Sequence, residues 1–172
     1  MEQASKDAAH WYAVHVKSRH EFQVYEKLTG AGINTFLPTI KRLSKWNDRN
    51  KLISFPLFPG YLFVYIHNNH NTRITILKNK SVVSILGTKT GEPEAVPEEQ
   101  INSLMKIIDA GMNLDYYPYL QEGQRIRIKR GPLSGVEGLL VEKTGQHKLV
   151  MSVDILKQST SVTIQASDVE NI

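Results

Sequence analysis

Cysteine is absent from the 172 residues. That excludes disulfides, thiol nucleophiles and every cysteine-ligated zinc or iron–sulfur site, and it suits a reducing cytoplasm. No apolar run approaches the roughly 18 residues of a membrane span. The first ten residues lack the charged-then-apolar layout of a secretory leader. Catalytic signatures are missing as well: there is no nucleophile elbow, no phosphate-binding glycine loop and no paired-carboxylate pattern. His67 and His70 are three apart, but no Cys or acidic cluster stands near them to complete a metal site, so both read as surface histidines. Aromatics make up 8% of the chain, and none lies within residues 123–172. An RNA-stacking surface in that last stretch is therefore not expected.

The charge excess is small. Lys and Arg total 21 against 17 Asp and Glu, a net charge of +4. Residues 1–114 hold 14 basic and 10 acidic side chains, residues 115–172 seven of each. The first two-thirds can therefore meet a polyanion, although not by charge alone.

Local patterns define the elements. Trp11 to Val16 alternates like a strand, with Tyr12, Val14 and Val16 on one face. Ser18 with Glu21 reads as a capping box for a helix carrying Phe22, Tyr25 and Leu28, and Gly30 and Gly32 stop it. Residues 33–40 read as extended, with Pro38 marking an edge. Lys41, Arg42, Lys45, Arg49 and Lys51, with Asn-Asp-Arg-Asn at 47–50, predict a long hairpin with a polar, basic tip. Tyr61 to Ile66 alternates aliphatic Leu62, Val64 and Ile66 with aromatic Tyr61, Phe63 and Tyr65. The aliphatic face belongs to the core. The aromatic face is either a second buried face or a surface that a partner covers, and the shortage of helices and the tyrosine hydroxyls favour the partner. A short helix over 71–79 places Ile74 and Leu77 inward, and Val82 to Leu86 is a further strand. Pro97, Glu98 and Glu99 open a helix with an Ile101, Leu104, Met105, Ile108 stripe, which Gly111 closes.

The predicted architecture is α+β: an antiparallel sheet with helices over residues 10–111, followed by a small β-barrel over 123–172. Residues 1–9 are expected to be disordered, and residues 112–122, which show no period, to be a linker. In the C-terminal part, an alternating strand from Gln124 to Lys129 enters Gly131-Pro132-Leu133-Ser134-Gly135-Val136-Glu137-Gly138. Gly131 and Gly135 fit positive-φ turn positions, and Gly138 allows close backbone approach.

That run resembles a KOW motif. With Trp11-Tyr12-Ala13-Val14, Leu57-Phe58-Pro59-Gly60-Tyr61-Leu62-Phe63-Val64 and Val96-Pro97 before a helix, the chain over about residues 10–170 resembles the NusG family of transcription elongation factors. The Pro-Leu-Phe-Pro-Gly-Tyr and Ser-Val-Asp-Ile-Leu blocks look most like its specialised UpxY- and RfaH-type antiterminator branch. The resemblance implies a non-catalytic, cofactor-free, cytoplasmic monomer. Residues 10–111 would be the NGN domain, which docks on the clamp of the largest RNA polymerase subunit and bridges to the β subunit. The KOW domain would recruit ribosomal protein S10 or Rho. An operon-specific role on long operons, such as those for polysaccharide biosynthesis, is preferred over a general housekeeping NusG or a ribosome-associated KOW RNA-binding protein.

Carried onto this sequence, the clamp contact falls on His15, Phe58, Pro59, Tyr61 and Phe63. The β gate-loop contact falls on His70, Asn71 and Thr72, where the RfaH-type branch has His-Thr-Thr. Contacts to non-template DNA fall on Lys17, Lys27 and Lys78, while two further DNA-facing positions are Gly30 and Ala31, which offer no polar side chain. Lys41, Arg42 and Lys45 of the hairpin are expected to approach upstream duplex DNA. The glycine-rich turn and the β-branched Val150, Val153, Val162, Thr163 and Ile164 favour a β-folded KOW domain over a helical alternative.

Overall fold

A computed structural model describes residues 8–46, 49–120 and 122–172, and the chain divides into two compact units at Glu98/Glu99. The expected disorder of residues 1–9 falls mostly outside the described residues, but Ala9 already opens a strand.

The first unit runs β1 (Ala9–Val16), α1 (Glu21–Gly30), β2 (Asn34–Phe36), β3 (Thr39–Trp46), β4 (Arg49–Pro56), β5 (Tyr61–His67), α2 (His70–Leu77), β6 (Val82–Ile85) and β7 (Ala95–Val96). Its main sheet is antiparallel in the order β2-β5-β1-β6, with β7 also on β1. β1 and β5 form its centre, in register from Ala9↔His67 to His15↔Tyr61. The aliphatic residues Val14, Val16, Leu62, Val64 and Ile66 pack with Val24 and Leu28 of α1 and Ile76 of α2. In α2 the buried residue is Ile76, while Leu77, expected inward, is exposed. A run of eight residues makes barely two turns, so its few apolar positions do not fix the helix phase. Tyr12 is also in this core. Burial pushes its hydroxyl above the usual tyrosine range, opposed by a hydrogen bond with Asn68 and the nearby Arg73.

Strands β3 and β4 form the long hairpin predicted from the basic run. Among the described residues they pair only with each other, from Thr39↔Pro56 to Trp46↔Arg49. The tip, residues 47–48, lies outside the described residues.

The second unit holds α3 (Glu98–Asp109, all but its first residue), then β8 (Leu114–Tyr117), β9 (Gln124–Ile128), β10 (Glu137–Lys143), β11 (Gln146–Val153), β12 (Gln158–Ile164) and β13 (Val169–Asn171). The strands form one antiparallel sheet in the order β13-β9-β10-β11-β12-β8. Apolar Ile126, Leu133, Val136, Leu149, Val150 and Val162 are buried in it. The buried stripe of α3 is Ile101, Leu104 and Ile107, with Met105 and Ile108 half-buried at its border.

Two boundaries differ from the expectation. The units divide before α3 rather than after it, and residues 114–117, expected in a linker, form edge strand β8. The reason is polar. Thr160 Oγ1 donates to the Asp115 carbonyl at 2.8 Å, Ser152 Oγ donates to the Leu120 carbonyl at 2.7 Å, and the Leu120 amide donates to Ser159 Oγ at 3.2 Å. Only Leu114 in this strand is buried, so no hydrophobic period marks it in the sequence. Strand β8 also brings Tyr116 and Tyr117 to a unit whose residues 123–172 hold no aromatic.

Candidate functional site

The aromatic face of β5 is where sequence and structure part. Phe63 is 0% exposed and Phe58 1%. They are therefore not part of an open clamp-binding patch. Phe63 stacks on its cross-strand partner Phe36 at 6.2 Å and meets Phe58 edge-on at 6.4 Å. Trp11, also buried, lies 6.2 Å from Phe36 and 5.2 Å from Tyr65. Strand β2 and the Leu57–Phe58 turn supply rings that close over this face, so the two-sided burial left open above is what occurs.

What stays at the surface is the end of the same strands. His15 and Tyr61 are directly paired across β1 and β5, both half-buried, with rings stacked 5.1 Å apart at 25°. Pro59 beside them is exposed. The turn that presents Tyr61 favours Gly60, whose φ is +85°, and a Cβ added there would stand 3.8 Å from His15 Cδ2. Its amide donates to Glu21 Oε1 at 2.8 Å, and its carbonyl accepts from the Val16 amide at 2.8 Å. Glu21 is therefore not the second half of a capping box with Ser18. The N-cap of α1 is His20, which makes no side-chain cap, and the buried Glu21 carboxylate fixes the Pro59–Gly60 turn instead. Replacing Glu21 by alanine leaves a buried amide without an acceptor and is expected to destabilise the first unit by about 2 kcal/mol. Glu21→Gln, which keeps an acceptor oxygen, is expected to lose less than half of that. Denaturant midpoints of the two variants check this, and equal losses would refute it.

Cations gather at this end. The Lys17 amide donates to the Ser81 carbonyl at 2.9 Å, and Ser81 Oγ donates to Gln23 Oε1 at 3.5 Å. These bonds bring the β1–α1 loop, with Lys17 and Arg19, to the α2–β6 loop, with Lys78 and Lys80, and all four are exposed. Glu21, the one acid within 17–23 and 78–81, is turned inward. Lys17 and Lys78 were expected at a DNA contact; Arg19 and Lys80, which were not, stand in the same two loops. Two Lys-x-basic triplets, at 17–19 and 78–80, were the available signal. Lys27 stands apart, in the last turn of α1.

His70, Asn71 and Thr72 form the first turn of α2, beyond the opposite end of β5 from Tyr61. Asn69 caps this turn, accepting from the Thr72 amide at 2.9 Å. His70 and Asn71 are exposed and Thr72 is half-buried. Arg73 anchors the helix through Asn68 at 2.6 Å and Glu92 at 2.7 Å. Among the described residues no group of three or more His, Asp or Glu is placed to hold a metal ion.

In the second unit the glycine turn has the geometry its sequence requires. Gly131 and Gly135 have φ of +80° and +85°, the Gly135 amide donates to the Ile128 carbonyl at 2.8 Å, and a Cβ on Gly138 would meet the Val150 carbonyl oxygen at 2.5 Å. Pro132 and Leu133 of this turn, with Met112, Ile128 and Ile164, line an open cleft of about 330 Å³ whose polar residues include Arg130 and Asp168.

The chain is thus an α/β sheet unit joined to a second unit built on an antiparallel sheet, with the ring pair and cations at the surface of the first and a cleft in the second. The family model described as transcription termination factor NusG matches residues 9–105. The NusG transcription termination/antitermination protein of Borreliella burgdorferi is 23% identical, over 94% of this chain and 98% of its own length. That of Lactococcus lactis is also 23% identical, over 94% and 92%. A solved structure of Thermotoga maritima NusG, described for its domain interaction, shares the fold with a TM-score of 0.58 at 20% identity, covering 97% of this chain and 99% of that one. The chain belongs to the NusG family, whose members are transcription factors and not enzymes.

Proposed function

We propose that the chain is a transcription elongation and antitermination factor that rides RNA polymerase through its first unit. The observation that carries this reading is the stacked His15–Tyr61 pair with exposed Pro59. It is a rigid, half-open aromatic edge held by the Gly60 turn, the kind of anchor that dominates protein interfaces. His15, Pro59 and Tyr61 are assigned to the clamp of the largest subunit. Phe58 and Phe63 act from beneath, as the packed floor that holds the edge in place. His70, Asn71 and Thr72, at the far end of the same sheet, are assigned to the β gate loop.

DNA is assigned to the cations. Lys17 and Lys78, joined now by Arg19 and Lys80, face the non-template strand, with Lys27 as a separate contact. Lys41, Arg42 and Lys45 face the upstream duplex. The cleft beside Gly131, Pro132 and Leu133 is assigned to a protein partner of the KOW domain, ribosomal protein S10 or Rho. The protein works as a cytoplasmic monomer. Among the described residues no helix is long and apolar enough to cross a membrane.

Within the family, the operon-specific reading rests on the Pro-Leu-Phe-Pro-Gly-Tyr and Ser-Val-Asp-Ile-Leu blocks. The general reading is favoured by the relatives above, which are named transcription termination/antitermination protein NusG. Genomic occupancy of the tagged protein separates them. Signal confined to one or a few long operons is expected; signal over all transcribed genes overturns the specialised role.

A further inference from the structure

We infer that the β3–β4 ribbon seats in the major groove of duplex DNA, with Leu43 and Leu52 as an apolar rung against thymine methyl groups. The inference deepens the assignment of Lys41, Arg42 and Lys45 to upstream duplex and rests on that reading.

The ribbon pairs with no other strand among the described residues. Eight residues per strand span about 26 Å, most of one turn of duplex. The register divides its side chains between two faces. One carries Lys41/Ser54, Leu43/Leu52 and Lys45/Asn50 as cross-strand pairs, and the other carries Ile40/Phe55, Arg42/Ile53 and Ser44/Lys51. On the second face Ile40, Ser44 and Ile53 are half-buried, while Arg42, Lys51 and Phe55 are exposed. On the first, all six of those residues are exposed, Leu43 at 70% and Leu52 at 57%.

Two leucines at that exposure, paired at mid-ribbon, are an apolar spot flanked by Lys41/Ser54 on one side and Lys45/Asn50 on the other. Lys41 and Lys45 stand two positions on either side of Leu43 on the same face; Arg42, Arg49 and Lys51 lie on the opposite face, and there is no acid in either strand. A polyanion is the complementary partner. Among polyanions, B-DNA has a major groove wide enough for a two-stranded ribbon, whereas the A-form groove of duplex RNA is too deep and narrow. The floor of that groove carries one apolar group, the C5-methyl of thymine. The lysines reach the phosphate walls while the leucine rung meets the methyls.

The test uses the full chain, two duplexes of one sequence made with thymine or with deoxyuridine, and binding followed by fluorescence anisotropy at two salt concentrations. Wild type is expected to prefer the thymine duplex by about fivefold, the size of a buried methyl contact or slightly more. Leu43→Ser/Leu52→Ser is expected to abolish that preference with an unchanged thermal midpoint, because both side chains are already in solvent. Lys41→Gln/Lys45→Gln is expected to weaken both duplexes alike and to lower the salt slope by about 2, one phosphate per lysine. Equal wild-type affinity for the two duplexes, or a methyl preference that survives in the leucine variant, overturns the inference. So does leucine-dependent binding to duplex RNA or to vesicles of anionic lipid in place of DNA. Wild-type affinity for nucleic-acid-free RNA polymerase is measured alongside. No binding there with the methyl preference intact sinks the polymerase reading and leaves the ribbon's role standing; polymerase binding without a methyl preference does the opposite.

Discussion

Phe63→Ala unfolds the first unit rather than trimming a contact. The ring is fully buried between Phe36 and Phe58 on the central strand of the sheet. Removing it takes away apolar contact and leaves a cavity that strands β1, β2 and β5 cannot collapse to fill, an expected loss of about 3–5 kcal/mol. That is comparable to the whole stability of a small domain. Tyr61→Ala, two residues earlier and half-exposed, is expected to shift the unfolding midpoint by no more than about 1 kcal/mol. Chemical denaturation of the two variants, followed by tryptophan fluorescence, compares them. A Phe63→Ala protein as stable as wild type would mean that the ring is not packed as described. The contrast also bears on binding experiments: loss of function at Phe63 reports folding, and loss at Tyr61 reports contact.

Gly138→Ala is the corresponding expectation for the second unit. The added carbon would stand 2.5 Å from the Val150 carbonyl oxygen and 2.8 Å from Leu149 Cδ1. Both belong to β11, the strand paired with β10, so relief requires parting two strands at the centre of the sheet. A loss of about 3 kcal/mol is expected, the upper end of the usual cost of overpacking, because the obstacle is backbone. Gly131→Ala is the control. Its φ is +80° but nothing lies within 4 Å of the added carbon, so only the left-handed backbone penalty of about 1–2 kcal/mol applies. Amide exchange in β10 and β11 reads the difference. Equal loss of protection in the two variants would contradict the close approach at Gly138.

The parts of this fold legible in the sequence are those where one local rule dominates. Alternation in Trp11–Val16 and Tyr61–Ile66 marked the two central strands. The basic run with turn residues marked the β3–β4 hairpin, and the turn chemistry of Gly131 and Gly135 marked their positive-φ positions. The misreadings have one cause, a long-range partner that local pattern cannot show. Glu21 had a plausible partner three residues away at Ser18, but its carboxylate is used 39 residues on at Gly60. The ring of Phe63 read as uncovered because its cover comes from other rings, Phe36 and Phe58, and not from extra helices. Residues 112–122 read as a linker because hydroxyls of Ser152, Ser159 and Thr160, rather than a hydrophobic face, hold that segment to the sheet. Arg19 and Lys80 joined Lys17 and Lys78 only once the Lys17–Ser81 bond set their loops side by side.

The edge formed by His15 and Tyr61 is what the proposed function depends on, and its direct test is the affinity of the full chain for purified RNA polymerase. Tyr61→Glu with His15→Ala is expected to weaken binding at least 30-fold, the loss of about 2 kcal/mol that one interface anchor carries, while the thermal midpoint stays within a few degrees of wild type. A stably folded double variant that binds polymerase as tightly as wild type would contradict the account.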